Sequence, residues 1–240
     1  MGMPITLELV GPGDQKAAIS AAYDRLRAID DVFSTYKPDS IVSRINTGKL
    51  TRATAPAEVW RVLEACDQMT KRTDGFFNPV HNGVLDPSGY VKGWAIAEVA
   101  QLFIGRGFAN FCVEAGGDIS VGGHNEHLTP WRVGIRHPKQ QGKLIKVLSL
   151  TDGAVATSGT YERGAHIYDP HTGQFATAML SLSVVGPDII EADVLATAAF
   201  AMGPDKALAF IASQGLEGYM VDEHDRAVYT QGFVRYVARD

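Results

Sequence analysis

Apolar residues recur along this 240-residue chain with two different periods, and the change from one to the other organises it. The first segment, PITLELV at 4–10, alternates like a half-buried strand and is closed by the turn Gly11-Pro12-Gly13. Helical spacing follows. Ile19, Ala22, Leu26, Ile29, Phe33 and Tyr36 fall three or four apart with charges opposite, which predicts a helix that buries all six and stops before Pro38. Residues 35–46 read as a loop with one short helical turn, capped by Asp39 or Ser40. A second helix over about 56–72 carries Val59, Val62, Leu63, Cys66 and Met69 and ends at Asp74-Gly75. Residues 75–90, GFFNPVHNGVLDPSGY, hold too many glycines and prolines for a helix or a central strand. They lead into a third helix, about 90–106, with Val91, Trp94, Ala95, Val99 and Leu102 on its buried face.

From residue 109 the period drops to two. Strands are expected at 109–115, 118–123, 130–136 and 144–150, with turns at Gly116-Gly117, at Gly122-Gly123 and in a polar loop near 138–143. Further strands near 154–157 and 179–186 precede helices at 192–202 and 204–214. Strands at 217–222 and 227–237 close the chain. No long repeat or Pro/Ser-rich linker divides it, and strands are grouped rather than alternating strictly with helices. The expected fold is therefore α+β, a single compact domain over 1–240 with a largely antiparallel sheet.

Composition narrows the function classes. The net charge is −5 and no Lys/Arg cluster tracks a polyanion, so nucleic acid is not an expected partner. Apolar runs are too short for a membrane span, and the first residues show no basic segment followed by an apolar one; a soluble, cytoplasmic protein is expected. Cys66 and Cys112 lack metal-type spacing and sit in apolar surroundings, as free buried thiols do.

Polar chemistry concentrates in AVATSGTYERGAHIYDPHTG at 154–173 and in the helical segment EADVLATAAFAMG at 191–203. Asp193 and Thr197 lie four apart, so their oxygens leave one helix face a turn apart among small alanines, a donor pair suited to Mg²⁺. A helix-capping Asp193 and a core-packed Thr197 would explain the same residues. His166 is a candidate base for a hydroxyl nucleophile and Asp169 a residue to orient it; a hydrogen-bonded structural histidine is the plain alternative. Ser158-Gly159 lacks a Gly-x-Ser-x-Gly pattern, which argues against a serine hydrolase. The segment Asp86-Pro87-Ser88-Gly89-Tyr90-Val91-Lys92-Gly93 enters a helix N-terminus, a place for phosphate with Lys92 adding charge, or simply a capped loop. Ala115-Gly116-Gly117-Asp118 suits either a close-fitting ligand or an ordinary hairpin turn.

In order, MGMPITL, FSTYKPDSIVSRIN, GFFNPV, LDPSGYVKGWAI, EAGGDISVGG, TSGTYERG, HIYDPHTG and EADVLATAAFAMG form a series that resembles the FAD:protein FMN transferases, the ApbE family, to about residue 203. The resemblance implies a T-fold-like α+β architecture and a Mg²⁺-dependent enzyme. Such an enzyme cleaves FAD, attaches FMN by a phosphoester bond to a Thr or Ser hydroxyl of an acceptor flavoprotein, and releases AMP. It also implies Asp193, Thr197 and the Gly89 carbonyl as metal ligands, His166 as the catalytic histidine, and Met1, Tyr36, Phe76, Phe77, Asn78, Asp86, Lys92 and Tyr168 as FAD contacts. Asn78 stands where the family usually has Asp, and the connection from GFFNPV to LDPSGY is short. That shortened wall keeps a Mg²⁺-dependent FAD pyrophosphatase open as an alternative, beside a non-catalytic FAD-binding protein. Relatives are often exported, whereas this chain begins almost at the first motif.

Overall fold

The computed structural model describes residues 2–160 and 167–239. In chain order the elements are β1 (Ile5–Val10), α1 (Gln15–Phe33), α2 (Ile41–Asn46), α3 (Ala57–Arg72), β2 (Val80–His81), β3 (Val84–Leu85), α4 (Ser88–Gly105), β4 (Asn110–Ala115) and β5 (Asp118–Gly122). They continue as β6 (Trp131–Arg136), β7 (Leu144–Leu150), β8 (Gly153–Gly159), β9 (Met179–Gly186), α5 (Ile189–Met202), α6 (Pro204–Ser213), β10 (Glu217–Asp222) and β11 (Ala227–Tyr229).

Seven strands form one sheet in the order β1-β4-β5-β8-β9-β10-β11, every neighbouring pair antiparallel. The fold is thus the α+β, largely antiparallel one that the sequence implies. Both faces of the central strands are covered, so successive residues are apolar and point alternately into two cores. Ala154, Ala156, Val184 and Met220 face the helices, while Val155, Val185, Tyr219 and Val221 face a second core. The β6–β7 hairpin, through Trp131, Val133, Ile135, Leu148 and Leu150, closes that second core with Phe233. Among the described residues no helix is long and apolar enough to cross a membrane.

Helix α5 is apolar almost all round, and ten of its fourteen residues are buried, as for a helix enclosed by its neighbours. It packs on α4 and α6 and lies against β8 and β9. Asp188 caps it, accepting from the N–H groups of Ile190 and Glu191 at 2.7 and 3.0 Å. Asp193 is therefore not the capping residue. Helices α4 and α5 meet at Gly93, where an added Cβ would stand 3.0 Å from the Ile189 carbonyl oxygen and 3.1 Å from Asp193 Cβ.

Two expectations are corrected. Helix α1 ends at Phe33, with the Ser34 hydroxyl accepting from the N–H groups of Tyr36 and Lys37; Tyr36 is 95% exposed rather than part of the buried face. The terminal strand expected over 227–237 stops at Tyr229. A 3₁₀ helix over Gln231–Tyr236 follows and drives Phe233 into the second core, where it packs on Tyr219 at 5.2 Å. Phe233 and Tyr236 stand three apart, the spacing that a 3₁₀ turn puts on one face, where a strand would need two. Within the irregular 75–90 stretch, β2 and β3 form a small hairpin fastened to Asn46. Its side-chain amide donates to the Leu85 carbonyl and accepts from the Leu85 N–H, at 2.9 and 2.8 Å.

Candidate functional site

A cavity of about 520 Å³ opens where the start of α4, the middle of α5, the C-terminal end of β8 and residues 167–170 converge. Of the residues expected to form a site, Tyr36, Phe76, Phe77, Asn78, Asp86, Gly89, Lys92, Tyr168, Asp193 and Thr197 all line it. Met1 and His166, with Tyr161 and Arg163, lie outside the described residues. A second cavity of about 620 Å³ adjoins the first, sharing Met3, Tyr36, Asp86, Ser88 and Lys92 with it.

Each side chain reaches the cavity for a local reason. Asp193 and Thr197 sit one turn apart on α5, where the neighbouring alanines let the helix lie close to β8. Only 2% of Asp193 is exposed. Its Oδ2 accepts from the Gly93 N–H at 2.9 Å and its Oδ1 lies 3.0 Å from Lys92 Nζ. Burial, foremost, pushes the Asp193 carboxyl above the usual range, with Asp118 adding to this and the Lys92 ammonium opposing it. Lys92 is itself held well above the ordinary lysine range, because the two carboxylates outweigh the cost of its burial. Thr197 Oγ1 lies 3.4 Å from Ser158 Oγ, and Thr157 Oγ1 shares a 2.8 Å hydrogen bond with Ser183.

Lys92, expected on a phosphate at the helix start, is instead paired with carboxylates here, and its closest partner is Asp118 Oδ2 at 2.5 Å. From the sequence, Asp118 reads as part of a hairpin turn. The hairpin is real: Gly116 and Gly117 both have positive φ, and Asp118 pairs with Ala115. The missing information was the strand order, which sets β5 beside β8 and points Asp118 at Lys92. Asp86 makes a turn instead of a cap on α4, its Oδ1 accepting from the Ser88 N–H at 3.0 Å.

The far wall is aromatic. Tyr168 lies against His81 of the small hairpin at 3.9 Å between ring centres, and pairs in a β-bridge with Phe175. Burial, with Asp86 adding charge, raises the Tyr168 phenol and keeps it protonated. Asp169, a possible partner of His166, closes its own turn: it accepts from the His171 N–H and the Thr172 hydroxyl at 2.9 and 3.1 Å. His171 reaches the Asp74 carbonyl at 2.9 Å and packs edge-on to Phe76, which is a turn-fixing role.

Fold and site define an α+β protein of the antiparallel-sheet type whose oxygen-rich cleft lies beside a buried helix. The chain belongs to the ApbE family, whose profile matches residues 1–85 and 80–220. An FAD:protein FMN transferase of Vibrio cholerae is 28% identical over 188 residues, covering 74% of this chain and 55% of that protein. One of Treponema pallidum is 35% identical over 145 residues, 53% of this chain and 40% of that protein. The chain thus spans about half the length of the curated relatives it matches. Among solved structures, the ApbE protein of Thermotoga maritima superposes with a TM-score of 0.87 at 24% identity, covering 99% of this chain and 96% of that one. The flavin transferase ApbE of Vibrio cholerae gives 0.86 at 22% identity, covering 98% and 96%. At those identities the structural likeness is one of fold.

Proposed function

We propose that residues 1–240 act as one flavin transferase domain. It cleaves FAD, transfers FMN to a Thr or Ser hydroxyl of an acceptor flavoprotein, and releases AMP. The observation that carries this reading is the gathering of Asp193, Thr197, Gly89, Lys92 and the aromatic residues in one cleft of an ApbE-family fold. Two adjoining cavities that share lining residues suit a ligand with two ring systems and a pyrophosphate between them.

The residues present fit a small hard cation. Asp193 offers a buried carboxylate and Thr197 a hydroxyl, and Gly89 lines the same cavity. Among the described residues no group of three or more His, Cys, Asp or Glu side chains could hold a metal. One carboxylate with neutral oxygens is what Mg²⁺ accepts when phosphate and water complete its shell. When bound, Mg²⁺ would neutralise charge on the pyrophosphate and on the departing AMP oxygen.

The chain's own residues do the rest. The acceptor oxygen bonds to the flavin-side phosphorus, the phosphorus–oxygen bond to AMP breaks, and the hydroxyl proton passes to a base, for which we propose His166. Tyr168, Phe76 and Phe77 wall the cleft and limit entry of water. Hydrolysis to FMN and AMP is the second reading, favoured by the short 78–86 connection, where the Asp86 N–H closes directly on the Pro79 carbonyl at 2.7 Å. Incubating the protein with FAD and Mg²⁺, with and without an acceptor domain, separates these outcomes. An acceptor heavier by one FMN that requires Mg²⁺ establishes transfer. AMP and FMN without adduct indicate the pyrophosphatase, and intact bound FAD indicates a binding protein.

A further inference from the structure

The geometry points to Asp118 as a positioning residue for the site: it draws the Lys92 ammonium partly off Asp193 and so leaves that carboxylate able to take a divalent cation. The inference rests on the metal-dependent reading above. Asp118 is 1% exposed, and both of its oxygens are committed: Oδ1 accepts from the Thr157 N–H at 3.0 Å and Oδ2 meets Lys92 Nζ at 2.5 Å. No regular hydrogen bond is aligned on Oδ2 among the described residues, so this contact is an ion pair. The same ammonium lies farther from Asp193, at 3.0 Å.

Charge counting shows what the third member does. A lysine facing Asp193 alone would form a neutral buried pair, and an arriving cation would have to break it. With both acids ionised, two carboxylates sharing one ammonium leave the trio at net −1, in a place where water screens little. Asp118 therefore acts through Lys92, without itself reaching the ligand cation. Its bond to the Thr157 N–H gives it a scaffold role as well, and the test has to separate the two.

Asp118→Asn keeps an oxygen for the Thr157 N–H and removes only the charge. Mn²⁺, which shares the preference of Mg²⁺ for oxygen ligands, is titrated into the purified protein with FAD held at a concentration that flavin fluorescence shows to saturate each variant. Bound ion is read from the loss of the free-ion EPR signal against an FAD-only control. D118N should weaken Mn²⁺ binding by roughly tenfold or more, because the freed ammonium closes on Asp193. Lys92→Gln should bind Mn²⁺ at least as well as the parent. The double variant D118N/K92Q should return to within about threefold of K92Q, since the competitor is gone. Unchanged binding in D118N overturns the inference, as does loss of binding in K92Q or a D118N defect that persists without Lys92. A D118N chain that fails to fold assigns Asp118 to the scaffold and overturns it too. If the parent itself binds no Mn²⁺, the metal-dependent reading fails with it; normal parent binding beside an unaffected D118N sinks the inference alone.

Discussion

Asp193 has two attachments, to the Gly93 N–H and to the Lys92 ammonium, and both are lost in Asp193→Ala. Lys92 then retains Asp118, so the buried ammonium is not left unpaired and the variant should fold. Metal-dependent FAD cleavage should fall on the order of 10²–10³-fold, as on losing a charge-stabilising group; AMP release at saturating Mg²⁺ measures it, and near-parental cleavage would remove the assignment. The Asp193–Thr197 pair was legible because four-residue spacing on a helix has one geometric meaning. Its link to Lys92 was not, since a lysine at a helix start gives no sign of which partner lies across the fold. Cys66 allows a test of pH. Burial, foremost, with Asp67 nearby, pushes its thiol up to about 12. A raised folded pKa means that its contribution is complete below the unfolded value near 8.5 and is lost as pH climbs toward 12. Denaturant melts from pH 8 to 10.5 should lose stability less steeply in Cys66→Ala than in the parent; equal slopes would contradict the burial.

Between elements, the α4–α5 seam carries the site, and Gly93 sets its spacing. Gly93→Ala would put a methyl within 3.0–3.1 Å of the α5 backbone and of Asp193 Cβ, contacts that backbone does not readily yield. Overpacking there should cost about 1–3 kcal/mol, despite alanine's better helix propensity. It should also raise the concentrations of FAD and Mg²⁺ needed for half-maximal rate; a melting temperature at or above the parent's would refute close contact. Helices α1 and α3 could be read from three-and-four spacing because each buries only one face; α4 is enclosed over a wider arc, so Gly93, Ile96, Ala100 and Phe103 are buried as well, while Trp94 and Leu102, expected on the buried face, are only partly covered. Helix α5 could be placed only approximately, its start shifted from 192 to Ile189, because an all-apolar segment has no polar face to fix its phase. The 227–237 segment failed for a related reason: too few residues separate a short strand from a 3₁₀ turn by period alone.

At the scale of the whole molecule, the sheet separates a helix-side core that builds the cleft from a rear core that does not touch it. Phe233 is fully buried in the rear core. Phe233→Ala should cost about 3–5 kcal/mol, while the protein that remains folded at low temperature binds FAD with parental affinity. Chemical denaturation and flavin fluorescence read the two separately, and a matching loss of affinity would show the cores to be coupled. The α+β class followed from grouped strands, but strand order did not, because β5 meets β8 across a 30-residue excursion through the β6–β7 hairpin. The Gly93 seam has a kinetic consequence as well. Where Gly93 meets Ile189 and Ile190 the two helices leave no side chain between them, so this part of the cleft floor is set before any ligand arrives. Flavin association should then appear as one concentration-dependent phase, without a slow step that levels off at high FAD.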